Sequence, residues 1–521
     1  MSKQKKIYVS TPIYYASGNP HIGHAYTTIL ADAFASYNKL MGNDVLLLSG
    51  MDEHGQKISE KASAAKMEAQ AFVDSVAAKF KDLWNKLDIK FDCFVRTSSQ
   101  EHVEVIQKVF EKLFETGNVY LGKWTGLYCV QCEENYSPKD VIEKDGKLYC
   151  KVGHEITKKE EETYFLKLTK FQKWIEEFYK DRPNFIYPQE RVKELLNNFI
   201  KPGIEDLSIT RTTISWGAPT LSNPKHILYV WIDALMSYLS GLGYLKADDH
   251  LFQEFWQNND VERVHIIGKE ITRFHGIYWP IMLHCLNLNQ PSRLVSHGWI
   301  VTKEGKMSKS LGNVVDPFKI VEERGADFLR YFLLKTIKIE NDGIYSEDLT
   351  IELFNNDLAN NYGNFISRSL GMINKYAMGI IPNGKDIHTN INAQNLINEA
   401  SKLINDMPEL VHNFDFVTLL TRIMNLCSNG NKYIEETKPW ELVKQNRSDE
   451  VNNFLNVVAN IAKILTFLLS PVLKLGTKQA CEQYNIDLSK LNLETLLDFS
   501  QLADHKVNTS KPIFLRITDK K

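Results

Sequence analysis

Apolar positions change period several times along the chain. Ile7-Tyr8-Val9-Ser10-Thr11 is a short β-branched and aromatic run, which predicts a strand. Pro12 and the Ser17-Gly18-Asn19-Pro20 cluster mark a loop. Ala25, Ile29, Leu30 and Phe34 then recur at helical spacing after His21. Asp44-Val45-Leu46-Leu47-Leu48 predicts a second strand ending at Ser49-Gly50. Phe72, Val76, Phe80, Leu83, Trp84 and Leu87 step by threes and fours, which predicts an amphipathic helix. This alternation implies an α/β unit around a buried parallel sheet. From about residue 116 to 225 the chain is instead rich in Lys, Glu and aromatics. The α/β pattern resumes at Val264-His265-Ile266-Ile267 and Leu294-Val295. Beyond about residue 348 the pattern is helical. There Phe454, Val457, Val458, Ile461, Ile464, Leu465 and Leu468 keep one apolar stripe until Pro471 interrupts it.

Composition narrows the class. The 521 residues are 43% hydrophobic and 24% charged, ordinary for a globular protein, and exclude a disordered, collagen-like or disulfide-scaffold chain. Lys+Arg 62 against Asp+Glu 64 leaves a net charge of -2, so any nucleic-acid binding must come from local patches. The start of the chain lacks a signal-peptide apolar segment, and no uninterrupted apolar run reaches the ~18 residues of a membrane span. No membrane is therefore expected, and the expected address is the cytoplasm. Seven cysteines in a chain this long do not form a disulfide framework.

Three clusters carry candidate chemistry. His21-Ile22-Gly23-His24 opens the first predicted helix, where unpaired N–H groups and the dipole suit phosphate, and Gly23 lets a nucleotide approach. Alone, the motif also fits ordinary polar residues at a helix start. Lys306-Met307-Ser308-Lys309-Ser310 lies between Gly305 and Gly312, and its two lysines and two hydroxyls fit a clamp on a triphosphate or a plain charged loop. Cys129-x2-Cys132 and Cys150-x3-His154 have zinc-ligand spacing. Four ligands would fill a tetrahedral site, so the metal would be structural. Cys93, Cys285, Cys427 and Cys481 have no partner at metal spacing and are expected to be buried or inert.

Together and in this order, the first two motifs resemble the HIGH and KMSKS signatures of class I aminoacyl-tRNA synthetases. The interval between them leaves no room for the large editing domain of the Ile, Val and Leu enzymes. Thr11-Pro12-Ile13-Tyr14-Tyr15, Gly50-Met51-Asp52-Glu53-His54-Gly55, Tyr229-Val230-Trp231-Ile232-Asp233-Ala234 and the run from Gly268 to His275 are similar to the methionyl-tRNA synthetase pattern, nearly end to end. The resemblance implies a Rossmann-like α/β catalytic domain split by a zinc-binding insertion, followed by an α-helical anticodon-binding domain. The expected boundaries are 1–115 and 226–347 for the catalytic halves, 116–225 for the insertion and 348–521 for the helical domain.

The resemblance also implies roles. Asp52 would pair with the methionine ammonium. Ile13, Tyr15, Trp231, Ala234, Tyr238 and His275 would wall the thioether, with His275 or Tyr238 donating weakly to sulfur. ATP would be held by His21, Gly23, His24, Glu270, Ile300 and Lys309, with Mg2+ assisting. His21, His24, Lys306 and Lys309 would be catalytic. Asn364, Arg368 and Trp440 would bind the tRNA anticodon, and Cys129, Cys132, Cys150 and His154 would hold one Zn2+. Partners would be methionine, ATP and methionine tRNA, and the chain is expected to be a monomer. Taken singly, Trp231, Tyr238 and Trp440 also fit core positions. The rival readings are a cysteinyl-type class I enzyme and a silent RNA-binding relative. The first would place cysteines near the sheet, and the second would not need intact His21, His24, Lys306 and Lys309.

Overall fold

The computed structural model describes residues 4–129, 131, 134–136, 140–229, 231–302, 305 and 314–518. Two compact units emerge: residues 1–20, 44–83 and 90–297, and residues 21–43, 84–89 and 298–521.

The first unit is built on a six-stranded sheet in the spatial order Cys93–Arg96, Asp44–Asp52, Lys6–Tyr15, Val261–Gly268, Arg293–His297, Ile186–Tyr187. Every pairing in it is parallel. Chain order runs outward from Lys6–Tyr15 to Cys93–Arg96 on one side and to Arg293–His297 on the other, where Ile186–Tyr187, earlier in the chain, is added at the edge. The gap between Lys6–Tyr15 and Val261–Gly268 is therefore a topological switch point, and a crevice opens at their carboxyl ends. A register shift between Ser10 and Ile13 marks an irregularity just before that crevice. The interior strands are buried at nearly every position, as layers on both faces of a parallel sheet require. The expected strands are observed, each longer than its apolar kernel. Cys93–Arg96 and Ile186–Tyr187 are additions to them.

Between Val119 and Leu166 a separate antiparallel sheet forms, in the order Glu134–Tyr136, Val119–Cys129, Glu155–Leu166, Lys147–Tyr149, Ile142–Lys144. A helix, Trp231–Ser240, is buried along almost its whole length and packs into the main apolar core of this unit.

The second unit is mainly helical and contains Ile22–Leu40, Ala326–Thr336, Asn364–Ala377, Ile391–His412, Phe416–Thr437 and Ser448–Leu469. Arg330 is fully buried. It donates to the Asp32 carboxylate and to the carbonyls of Val472, Pro471 and Leu87. Burial raises the Asp32 carboxyl, but the Lys474 and Arg330 charges outweigh it and hold the group below its usual range. Helix Ser448–Leu469 is long and apolar enough to cross a membrane, yet 89% of its apolar window is buried inside the protein, the mark of a core helix. The expected single stripe understates it, because Asn456, Asn460, Lys463 and Thr466 are buried as well. Each has a partner: Asn456 donates to Pro382 O, Asn460 to Phe499 O and Lys463 to Asp498 O, while Thr466 bonds the Tyr362 hydroxyl.

Candidate active site

A cavity of about 670 Å³ opens in the first unit. Its walls include Ile13 and Tyr15 from the end of the first strand, and Asp52 from the end of the second. Trp231, Ala234 and Tyr238 come from one face of helix Trp231–Ser240, at i, i+3 and i+7. Glu270 and His275 come from the segment after Val261–Gly268. All seven residues expected around the thioether and ammonium thus share one cavity with Glu270, at the carboxyl ends of the parallel strands.

Hydrogen bonding fixes the protonation of the inner wall. His275 lies in the short π-helix Phe274–Tyr278, and its Nδ1 is 3.0 Å from Ile271 O. A carbonyl only accepts, so Nδ1 carries the proton. Nε2 then accepts from the Tyr238 hydroxyl at 2.7 Å. Burial pushes the His275 imidazole down to about 4, against a smaller upward pull from the Ile271 bond, and the ring is neutral at pH 7. With both protons engaged, neither side chain donates to a thioether in this arrangement. Polarizable ring contact remains as the means of holding sulfur.

Behind this wall the pattern repeats. Trp279 Nε1–H donates to His265 Nε2 at 3.1 Å, so His265 donates from Nδ1 to Ser10 Oγ at 2.5 Å. Burial drives His265 far below its usual range. Tyr238 packs on the His265 ring at 4.4 Å, and its carbonyl accepts from the Tyr8 hydroxyl. The lining of the apolar end is therefore uncharged. Trp231 stacks on Phe274 at 3.5 Å between centroids. Phe274 also lines the cavity and was not among the expected residues, although it sits inside the motif from Gly268 to His275. Gly268 matters for Glu270: an added Cβ would lie 2.5 Å from Glu270 Oε1, so the carboxylate occupies the space a side chain would take.

In the second unit, His21 caps helix Ile22–Leu40. Gly23 N–H donates to His21 Nδ1 at 3.1 Å, and His21 N–H donates to His24 Nδ1 at 3.2 Å. The rings stack at 3.7 Å. Ile22 N–H is used by Val315 O. These bonds differ from the expected open helix terminus, because the motif's own imidazoles absorb backbone donors. They also place the proton of each neutral ring on Nε2. Burial, with the neighbouring His21, drives His24 far down and keeps it neutral. Ile300 begins the strand Ile300–Val301, whose ladder bonds use the carbonyls of Trp299 and Val301. The Ile300 peptide groups therefore face the opposite side. Lys306 and Lys309 lie outside the described residues.

Cys129, Cys150 and His154 bring their ligand atoms within 4.8 Å of one another. Both thiols are fully buried, and Cys150 Sγ accepts from His154 N–H at 3.3 Å. Ligand atoms of a tetrahedral zinc site sit about 3.8 Å apart, so this set fits a soft divalent ion. Cys132 lies outside the described residues. Of the other thiols, Cys427 and Cys481 are buried and Cys93 and Cys285 partly so. Burial raises all four, Cys93 to about 11 and Cys285 and Cys481 to about 12, which disfavours the thiolate.

Asn364 and Arg368 lie one turn apart on helix Asn364–Ala377, and both donate to Asn431 Oδ1, at 3.1 and 3.4 Å. Arg368 also pairs with Glu435 at 3.3 Å. Trp440, in the short helix Pro439–Lys444, is 39% exposed, which removes the core reading of that residue.

A parallel α/β sheet with a cavity at its carboxyl ends is the ligand-binding arrangement of Rossmann-like enzymes, and comparison with known proteins agrees. The family model described as tRNA synthetases class I (M) matches residues 7–150 and 131–370. The methionine--tRNA ligase of Ureaplasma parvum serovar 3 is 48% identical over 520 residues, 99% of each chain. That of Bacillus subtilis is 41% identical over 98% of this chain and 78% of its own length. The solved Mycobacterium tuberculosis methionyl-tRNA synthetase in complex with methionyl-adenylate superposes with a TM-score of 0.93 at 31% identity, covering 98% of this chain and all of that one. The chain belongs to the class I aminoacyl-tRNA synthetases, and within them to the methionine--tRNA ligase family.

Proposed function

We propose that the chain works as a methionine–tRNA ligase with the following division of labour. The observation that carries the reading is the shared cavity: an acidic group, Asp52, at one part of its wall and a neutral aromatic lining at another. That combination suits an amino acid with an ammonium and a long, polarizable, uncharged side chain. Asp52 takes the ammonium. Ile13, Tyr15, Trp231, Ala234, Tyr238 and His275 enclose the thioether. Glu270 accepts from the ATP ribose and the Ile300 peptide groups flank adenine. Gly23 leaves room for the His21 ring, since a Cβ there would lie 2.9 Å from His21 Cε1. His21 and His24 then donate from Nε2 to phosphate oxygens, while Lys306 and Lys309 neutralise the departing pyrophosphate.

In the first step a methionine carboxylate oxygen bonds the α-phosphorus, and the bond to the bridging oxygen breaks, releasing pyrophosphate. In the second, the 2′-hydroxyl of the terminal tRNA adenosine attacks the adenylate carbonyl and AMP leaves. No enzyme nucleophile is needed, so catalysis is positioning and charge stabilisation. Mg2+ accompanies ATP. Cys129, Cys150 and His154, with Cys132 as fourth ligand, would hold one structural Zn2+. Asn364, Arg368 and Trp440 read the anticodon of methionine tRNA. We place the domain boundaries near residues 115, 225 and 347 and read the protein as a cytoplasmic monomer.

Methionine titrated into the protein and into Asp52→Asn tests the pocket. Loss of a charge-assisted bond of ~1.5–3 kcal/mol predicts weaker methionine binding by about ten- to a hundredfold. Unchanged binding would remove Asp52 from the site.

A further inference from the structure

Helix Trp231–Ser240 lines the cavity with Trp231, Ala234, Leu235 and Tyr238 on one face, and its opposite face is pinned by Asp233, a carboxylate 1% exposed. Asp233 Oδ2 accepts from His54 Nδ1 at 2.7 Å and Oδ1 accepts from His102 Nε2 at 2.8 Å. His102 Nδ1 in turn lies 2.7 Å from Ser240 Oγ, at the end of the same helix. The two histidines come from different elements. His54 follows Asp52 by two residues, and His102 belongs to helix Gln100–Glu115. The His54 ring is braced edge-on by Trp216 at 5.5 Å. Burial alone would raise Asp233, but its two histidine partners outweigh it and hold the carboxyl down at about 2.

We propose that Asp233 and His54 are positioning residues for methionine selection. The Asp233–His54 bond links the segment bearing Asp52 to the helix bearing Trp231, Ala234 and Tyr238. It thereby sets the distance between the ammonium anchor and the thioether wall, without either residue touching the substrate. A carboxylate with two imidazole donors on separate elements is suited to this, because each bond is directional and neither partner can turn away without leaving a buried charge unpaired. The inference rests on the assignment of Asp52 and the aromatic wall to methionine.

Steady-state ATP–pyrophosphate exchange on four variants tests it. His54→Leu removes the donor and should raise the methionine KM about tenfold, equivalent to ~1.4 kcal/mol, with the ATP KM unchanged. His54→Asn puts an amide N–H near the Nδ1 position and should restore the methionine KM to within about threefold of wild type, equivalent to ~0.65 kcal/mol. Asp233→Asn should behave like His54→Leu. Asp52→Asn is the control for the pocket itself. Equal loss in the methionine and ATP parameters, tracking a fall in melting temperature, would overturn the proposal in favour of a merely structural network. So would an unchanged methionine KM in His54→Leu while Asp52→Asn is impaired. If Asp52→Asn is also unimpaired, the pocket assignment fails and takes this inference with it.

Discussion

At the scale of single residues, the site is defined as much by protons as by shape. His275 is held at about 4 in the folded chain, below the ordinary imidazole value of 6.5. Below pH 6.5 the unfolded chain takes up a proton that the folded chain refuses. Stability contributed by the neutral ring is therefore full above that pH, falls as the pH drops towards 4, and then levels off. The loss is on the order of 3 kcal/mol at ~1.4 kcal/mol per pH unit. Thermal denaturation from pH 7 to 4 should show a shallower decline for His275→Gln than for the wild type. Parallel slopes would mean that the ring is charged when folded. Gly268→Ala makes a second residue-scale prediction. Displacing the Glu270 carboxylate should raise the ATP KM several-fold with little change in the methionine KM, and equal changes in both would contradict the assigned role. Much at this scale was hidden in the sequence. The spacing of His21 and His24 suggested a phosphate site, but nothing in the sequence shows that their Nδ1 atoms accept from backbone donors. His54, His102 and Asp233 are too far apart in the chain to form any periodic pattern.

At the scale of elements, period and length decided what could be read. The strands at Lys6–Tyr15, Asp44–Asp52 and Val261–Gly268 announce themselves because each has a buried kernel of β-branched, aliphatic or aromatic residues. Ile186–Tyr187 is two residues long and Cys93–Arg96 four, too short to carry a periodic signal, yet both complete the sheet. Helix Ser448–Leu469 misleads in the other direction, since its buried amides and lysine look in sequence like a solvent face. Trp440 shows an element exposing what the sequence left open. With 39% of its surface accessible, Trp440→Ala should cost little melting temperature. Methionine-dependent pyrophosphate exchange should persist, while tRNA charging falls by about 1–3 kcal/mol in kcat/KM if a base stacks there. Charging at the wild-type rate would eliminate the stacking role.

At the scale of the whole molecule, the sequence marked an α/β sheet, an insertion of different composition and a helical region, but not that the insertion folds as an antiparallel sheet. The arrangement of strands about the switch point required coordinates. The antiparallel sheet is where a metal is expected, since Cys129 ends one strand and Cys150 and His154 flank the turn between two others. Elemental analysis should give about one zinc per chain, as a Cys3His set requires, and a fully active metal-free preparation would contradict it. The central claim is that the cavity selects methionine for adenylation. Its most direct measurement is ATP–pyrophosphate exchange with each of the twenty amino acids in turn. Methionine should support rapid exchange and the others at most a small fraction of it. No exchange with methionine, or faster exchange with another amino acid, would contradict the account.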